Sequence, residues 1–341
     1  MRRLHLMYAI AILASFAPQL NAEIENLADD PRFEVCYLEA FKQQNKNKTL
    51  EQVKAECIQK IAEDNGGTIE KLSPLEKRIN EELKNVYNPN VITPHKRNYL
   101  LPISYLNQPN QAPYENTNYA GLLDNWEAKF QLSFKAPLAQ SLIKDKDVLF
   151  FGFTIESYWQ AYNTDISSPF RETNYTPEIF YGFVNDFTIG EWTNRVNVIG
   201  IEHQSNGQSQ PQSRSWNRIY AHFVWENDRW IVGFKPWYRL PEDDKLDPND
   251  PDGDDNPDID KFLGHFEFTS TYKWDDQTFG VMFRNNLRSD NKGAIQLDWT
   301  FPMGSRFKGY VQYFNGYGES LIDYNESVQR FGIGVLLSDF F

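Results

Sequence analysis

Past its first residues the sequence has no apolar run approaching the ~18 consecutive residues of a membrane-spanning helix. If the chain crosses a membrane, strands must do it. Cysteine is nearly missing: Cys36 and Cys57 are the whole complement. Two thiols so far apart are too few for a structural zinc site or a redox pair. Both fall in stretches of helical character, and in an exported chain they are expected to oxidise into a disulfide pinning a helical hairpin. Positive charge is also in deficit, with 34 Lys and Arg against 47 Asp and Glu, a net charge of −13. No basic stripe is present to meet phosphates, which argues against nucleic acid as a partner.

Aromatic residues, by contrast, are abundant, at 15% of 341 residues. Arg2 and Arg3 precede the apolar stretch Met7 to Phe16, and Leu20-Asn21-Ala22 offers a small-residue cleavage site before Glu23. That pattern predicts a signal peptide over 1–22 and an exported mature chain. Residues 23–92 read as a charged, helical N-terminal region on the periplasmic side. Thr49-Leu50-Glu51-Gln52 and Ser73-Pro74-Leu75-Glu76 both fit helix-opening capping boxes, the second with proline at the first helical position. Nothing in this region looks chemical. It could bind a partner, contact peptidoglycan or occlude a barrel.

Residues 93–341 change character to alternating, aromatic-rich segments broken by turns. Ala128, Phe130, Leu132 and Phe134 share one face, and Lys129, Gln131, Ser133 and Lys135 the other. Twelve strands are expected, at about 98–105, 126–136, 147–161, 173–184, 191–205, 215–226, 229–239, 261–274, 277–286, 293–302, 306–317 and 329–340. The even count, the alternation of short and long connections, and the terminal Phe341 predict an all-β fold: a twelve-stranded antiparallel transmembrane β-barrel. A soluble β-sandwich is the alternative. Twelve strands make a narrow barrel that side chains can largely fill, which counts against a wide passive pore.

The chemistry-bearing stretch is Ile201-Glu202-His203-Gln204-Ser205-Asn206-Gly207, followed by Ser213-Arg214-Ser215-Trp216-Asn217-Arg218. His203 and Ser205 share a face of the fifth strand with Ile199 and Ile201, and Asn217 shares a face of the sixth with Ile219 and Phe223. All three are therefore expected on the lipid-facing wall, near the external strand ends, where polar groups are costly. A serine hydroxyl activated by a neutral imidazole, itself oriented by an amide oxygen, can attack an ester. On this pattern Ser205 is the nucleophile, His203 the base and then acid, and Asn217 the orienting group. The Gly207 amide stands close enough to donate to an oxyanion. The bland alternative is a girdle histidine beside a loop serine.

These strings resemble the outer-membrane phospholipase A family, as do Ser167-Ser168-Pro169-Phe170-Arg171-Glu172-Thr173-Asn174-Tyr175, Lys235-Pro236-Trp237-Tyr238, Asp255-Asn256-Pro257-Asp258 and the segment Gly316 to Asn325. The resemblance covers about residues 95–341 and leaves the N-terminal helices outside. It implies a calcium-dependent phospholipase of the Gram-negative outer membrane. Such an enzyme cleaves sn-1 and sn-2 acyl esters of phospholipids and lysophospholipids on the outer-leaflet side, and is active as a homodimer. Its catalytic residues fall on His203, Ser205 and Asn217, and its oxyanion glycine on Gly207. Its calcium ligands fall on Ser213, on Ser167 of the dimer partner, and on the backbone carbonyl of Gln208. A weaker second calcium position would use Asp255, but its other aspartate falls on Gln210.

The acidic loop Asp243 to Asp260 does not fit an EF-hand, since Gly253 at the sixth position puts Pro248 at the first and Ile259 at the twelfth. It reads as a solvated external loop. His222 has interior parity and reads as a lumen packing residue. Trp159, Trp225, Trp230 and Trp237 read as interface girdle or barrel packing. The rivals to an enzyme are a passive porin and an adhesin, both indifferent to His203.

Overall fold

The computed structural model describes residues 31–42, most of 53–61, 73–86, 91–247, 250, 252–304 and 307–338. The expected signal peptide, the Thr49–Gln52 capping box and Phe341 lie outside these residues. The chain divides into two compact units, residues 1–72 and 73–341. In the first, helix α1 (Pro31–Lys42) carries Cys36, joined by a disulfide to the buried Cys57 with a Cα–Cα separation of 5.7 Å.

The second unit opens with helix α2 (Pro74–Val86), and the Ser73 capping box is formed in full. The Glu76 amide donates to Ser73 Oγ at 3.0 Å and the Ser73 amide to the Glu76 carboxylate at 2.8 Å, so two otherwise orphaned donors are satisfied reciprocally.

Twelve strands follow: β1 Asn98–Asn107, β2 Trp126–Gln140, β3 Val148–Trp159, β4 Phe170–Ile189, β5 Trp192–Ser205, β6 Ser215–Asn227, β7 Trp230–Leu240, β8 Phe266–Trp274, β9 Gln277–Asn285, β10 Gly293–Met303, β11 Phe307–Tyr317 and β12 Ser327–Ser338. Each pairs antiparallel with the next, β12 pairs with β1, and Thr93–Pro94 adds a two-residue bridge to β2. The sheet is a closed barrel without a free edge, which is what a lipid environment demands of strands.

One end of the barrel has tight connections. Gly190, Asp228 and Asp275 take left-handed backbone conformations there, as two-residue hairpin turns require. The other end carries the long segments 108–125, 160–169, 206–214, 241–265 and 318–326. Within 241–265 sits a short helix α3 (Ile259–Leu263), closed by Gly264 at φ 69. Ile259 and Leu263 are buried against Trp216, Trp237, Leu321 and Tyr324, so this loop folds back over the barrel mouth. The eighth strand therefore begins at Phe266, not near residue 261 as periodicity suggested.

The two faces of the wall differ sharply. Ile199 and Ile201 are 55% and 48% exposed while Glu202, the next residue along, is 1% exposed. Outward positions such as Phe234, Phe279, Leu297 and Ile333 form the apolar belt. Inward positions carry charge. Near the long-loop end, Arg171 pairs with Glu127 (2.6 Å) and Asp323 (2.7 Å), and Arg330 with Glu127 (2.8 Å) and Glu319 (2.7 Å). Removing one partner of such a buried set strands the other charge, which costs about 3–5 kcal/mol. Below this network the lumen holds a cavity of about 580 Å³, whose lining includes Glu178, Glu202, His222 and Lys235. Helix α2 lines it at the tight-turn end. Leu75 and Ile79 face the cavity, Glu82 meets Lys135 at 2.6 Å, and Ser73 donates to Glu226 at 2.8 Å.

Candidate active site

Antiparallel register between β5 and β6 sets His203 directly opposite Asn217, Ile201 opposite Ile219, and Ser205 opposite Ser215. His203, Ser205 and Asn217 thus belong to the outward face with Ile199, Ile201 and Ile219. The interleaved Glu202, Gln204 and Arg218 line the lumen cavity, and the three outward residues do not. Inside, Arg218 reaches Glu202 at 2.5 Å and Trp216 Nε1 donates to Gln204 at 2.8 Å. These contacts anchor the two strands from behind.

Outside, His203 Nδ1 lies 2.9 Å from Asn217 Oδ1, and Asn217 Nδ2 donates to Glu242 Oε1 at 3.0 Å. With Oδ1 facing the ring, Nδ1 carries the proton and Nε2 the lone pair. That is the tautomer in which Nε2 can take a proton from a hydroxyl. Ser205 stands on the same face of the same strand, two residues further toward the long-loop end.

The segment after β5 is held from within by Asn206, only 2% exposed. Its Oδ1 accepts the amides of Arg214 (2.9 Å) and Gln208 (3.3 Å), and its Nδ2 donates to the Gln212 carbonyl (2.8 Å) and Glu172 (3.3 Å). The next residue, Gly207, has φ +65, a conformation side chains disfavour, and a Cβ there would lie 3.4 Å from the Tyr175 ring. Tyr175 is the register partner of Ser205 on β4. Among the described residues the Gly207 amide makes no hydrogen bond, while the amides on either side are engaged. Its donor is available to an incoming oxygen.

Ser213 Oγ donates to Asp255 at 2.5 Å, which leaves the oxygen's lone pairs open to a cation. The Gln208 carbonyl accepts no hydrogen bond among the described residues. Hydroxyl and carbonyl oxygens are the hard donors that calcium takes, so the residues fit that ion in kind. They are few, however: no group of three or more His, Cys, Asp or Glu suited to a metal occurs among the described residues. Asp255 is occupied, with Lys245 at 2.6 Å and Gln210 donating at 2.6 Å. Burial pushes this carboxyl up, but hydrogen bonds from Lys245, Ser213 and Gln210 outweigh it and hold it below the usual range. Ser167 is exposed, with φ 61, and no hydrogen bond joins it to Ser213, Gln208 or Asp255 among the described residues. Motif reading gave no role to Asn206, Tyr175, Glu242 or Lys245. Only the three-dimensional register reveals them.

A closed barrel with an apolar belt, a lumen lined by paired charges and a polar constellation on its outer wall points to an outer-membrane barrel enzyme. The comparisons agree. The profile of the family described as Phospholipase A1 matches residues 75–337. Phospholipase A1 of Proteus vulgaris is 38% identical over 254 residues, covering 74% of this chain and 84% of that protein. Phospholipase A1 of Escherichia coli K12 is 39% identical over 256 residues, covering 74% and 84%. Among solved structures, an active-site mutant of the E. coli outer membrane phospholipase A superposes with a TM-score of 0.71 at 36% identity, covering 77% of this chain and 98% of that one. A calcium-bound dimer of the Salmonella typhi outer membrane phospholipase gives 0.69 at 36% identity, covering 76% and 98%. The chain belongs to the phospholipase A1 family, the ester-hydrolysing barrels of the Gram-negative outer membrane.

Proposed function

We propose that this protein is a calcium-dependent phospholipase that hydrolyses sn-1 and sn-2 acyl esters of phospholipids and lysophospholipids with Ser205, His203 and Asn217. The observation that carries this reading is the 2.9 Å contact between His203 Nδ1 and Asn217 Oδ1 on the lipid-facing wall, on the face that also bears Ser205. A hydrogen-bonded imidazole on an otherwise apolar belt has no packing rationale and a clear chemical one.

In the proposed reaction Ser205 Oγ attacks the ester carbonyl carbon as His203 Nε2 takes the hydroxyl proton. The carbonyl oxygen becomes an oxyanion facing the Gly207 amide. The tetrahedral adduct collapses, the C–O bond to the glycerol breaks, and His203 returns its proton to the leaving alkoxide. Water then attacks the acyl-serine, again giving its proton to His203, and Ser205 leaves with that proton as fatty acid is released. Asn217 accepts from Nδ1–H throughout and stabilises the imidazolium. Ser213 and the Gln208 carbonyl, with the partner subunit's Ser167, would hold calcium, which supplies positive charge beside the oxyanion when bound. The exposed, left-handed Ser167 suits donation to a second copy, and the Salmonella typhi relative crystallises as a dimer with calcium. Activation by dimerisation follows, with each site opening toward the outer leaflet at the long-loop end.

The test is fatty-acid release from phospholipid micelles by refolded protein. Release is expected with calcium, and loss with chelator and with Ser205→Ala. A folded, dimeric barrel that releases nothing, or a Ser205→Ala variant that still does, would sink the reading.

A further inference from the structure

We infer that Glu242 is a positioning residue for this hydrolysis, acting through Asn217 to decide which nitrogen of His203 can serve as base; the inference rests on the reading of His203 given above. An asparagine amide has two nearly isosteric orientations, and only one presents oxygen to the imidazole. If Asn217 flipped, its NH₂ would face Nδ1, the ring proton would move to Nε2, and no lone pair would be left to meet the Ser205 hydroxyl.

Something must forbid the flip, and Glu242 is built to do so. An ionised carboxylate only accepts hydrogen bonds. Its 3.0 Å contact with Asn217 Nδ2 therefore fixes the amide nitrogen on the Glu242 side and Oδ1 on the His203 side. The carboxylate's charge also reaches the imidazolium through one amide.

The fold explains how Glu242 arrives there. On β7 Leu240 is the register partner of Asn217, so Glu242, two residues on, keeps the outward parity of that pair. Pro241 between them cannot extend the ladder, and the strand ends. The flanks are pinned: Arg239 pairs with Asp254 at 2.6 Å, and the Asp254 amide donates to the Asp243 carbonyl at 2.8 Å. Glu242 is half-buried and forms no ion pair among the described residues, so its role is not that of a surface salt bridge.

The test compares Glu242→Ala, Glu242→Gln, Asn217→Asp and Asn217→Asp/Glu242→Gln, refolded in detergent with calcium present. Folding is confirmed by heat-modifiable migration. Glu242→Ala should lower kcat about tenfold with KM unchanged, and Glu242→Gln about threefold, because glutamine can present either oxygen or nitrogen. Asn217→Asp sets two carboxylates face to face and should lose activity. In the double variant the amide introduced at position 242 can donate to the carboxylate introduced at position 217, so kcat should recover above that of Asn217→Asp. A purely structural residue gives no such rescue. Glu242→Ala at wild-type kcat overturns the inference, as does a double variant no better than Asn217→Asp. Ser205→Ala run alongside separates the cases: if it is inactive while Glu242→Ala is normal, only the role of Glu242 fails.

Discussion

At the scale of single residues, main-chain and side-chain roles separate cleanly around the 206–214 segment. Gln208 would serve through its carbonyl, so Gln208→Ala should keep activity within about twofold. Ser213 would serve through its hydroxyl, so Ser213→Ala should raise the half-saturating calcium concentration by about tenfold or more, read from a calcium titration of fatty-acid release. Asn206→Ala should be more damaging than either. It strands the Arg214 and Gln208 amides and frees the turn that presents Gly207. We expect kcat to fall ~100-fold with the barrel still folded. The sequence made part of this legible. Period-two parity put His203 and Ser205 on one face and Asn217 on the matching face of the next strand, and the register obeys it. Glu242 and Lys245 were not legible, because neither sits in a motif. Their partners, Asn217 and Asp255, are reached across a strand pair and around a loop.

Among elements, alternation located all twelve strands, and the errors have physical causes. The eighth strand was expected from about residue 261, but Lys261, Phe262 and Leu263 belong to helix α3. Ile259 and Leu263 are spaced one helical turn apart, and Gly264 ends that turn. The fourth strand runs to Ile189, past the expected 184, because the Phe187–Asn194 pairing resumes after a register shift. The turn before β3 supports a prediction about pH. Asp147 accepts the amides of Leu142 (2.7 Å), Ile143 (2.8 Å) and Lys144 (2.6 Å), and the Tyr181 hydroxyl. Burial raises this carboxyl's pKa, but these bonds dominate and hold it down to about 2. A carboxyl depressed on folding contributes its full stabilisation above its unfolded value near 3.8 and loses it as pH falls toward 2. Protection of those three amides against hydrogen exchange should therefore hold down to about pH 4 and decline below it. Asp147→Asn should lower it at neutral pH.

For the whole molecule, the question is whether the barrel passes solutes. The strand count favoured a narrow barrel that side chains largely fill, but did not show which side chains, or that a cavity of about 580 Å³ remains among them. Helix α2 lines the lumen at the tight-turn end, and the Arg171, Arg330, Glu127 and Glu319 ion pairs cross it toward the other. In planar bilayers the protein should give no steady conductance. Deleting residues 73–86 should not create one, because the ion-pair network remains; an ohmic pore in that variant would show that α2 alone seals the barrel. The outward placement of His203 and Ser205 has a further consequence. A site on the side of the barrel meets its substrate within the plane of the membrane, so a lipid reaches it by lateral drift and never has to leave the bilayer as a monomer. The encounter then depends on the surface density of lipid in one leaflet, not on any bulk concentration. Access is governed by which lipids populate that leaflet and by whatever else is pressed against this face of the wall.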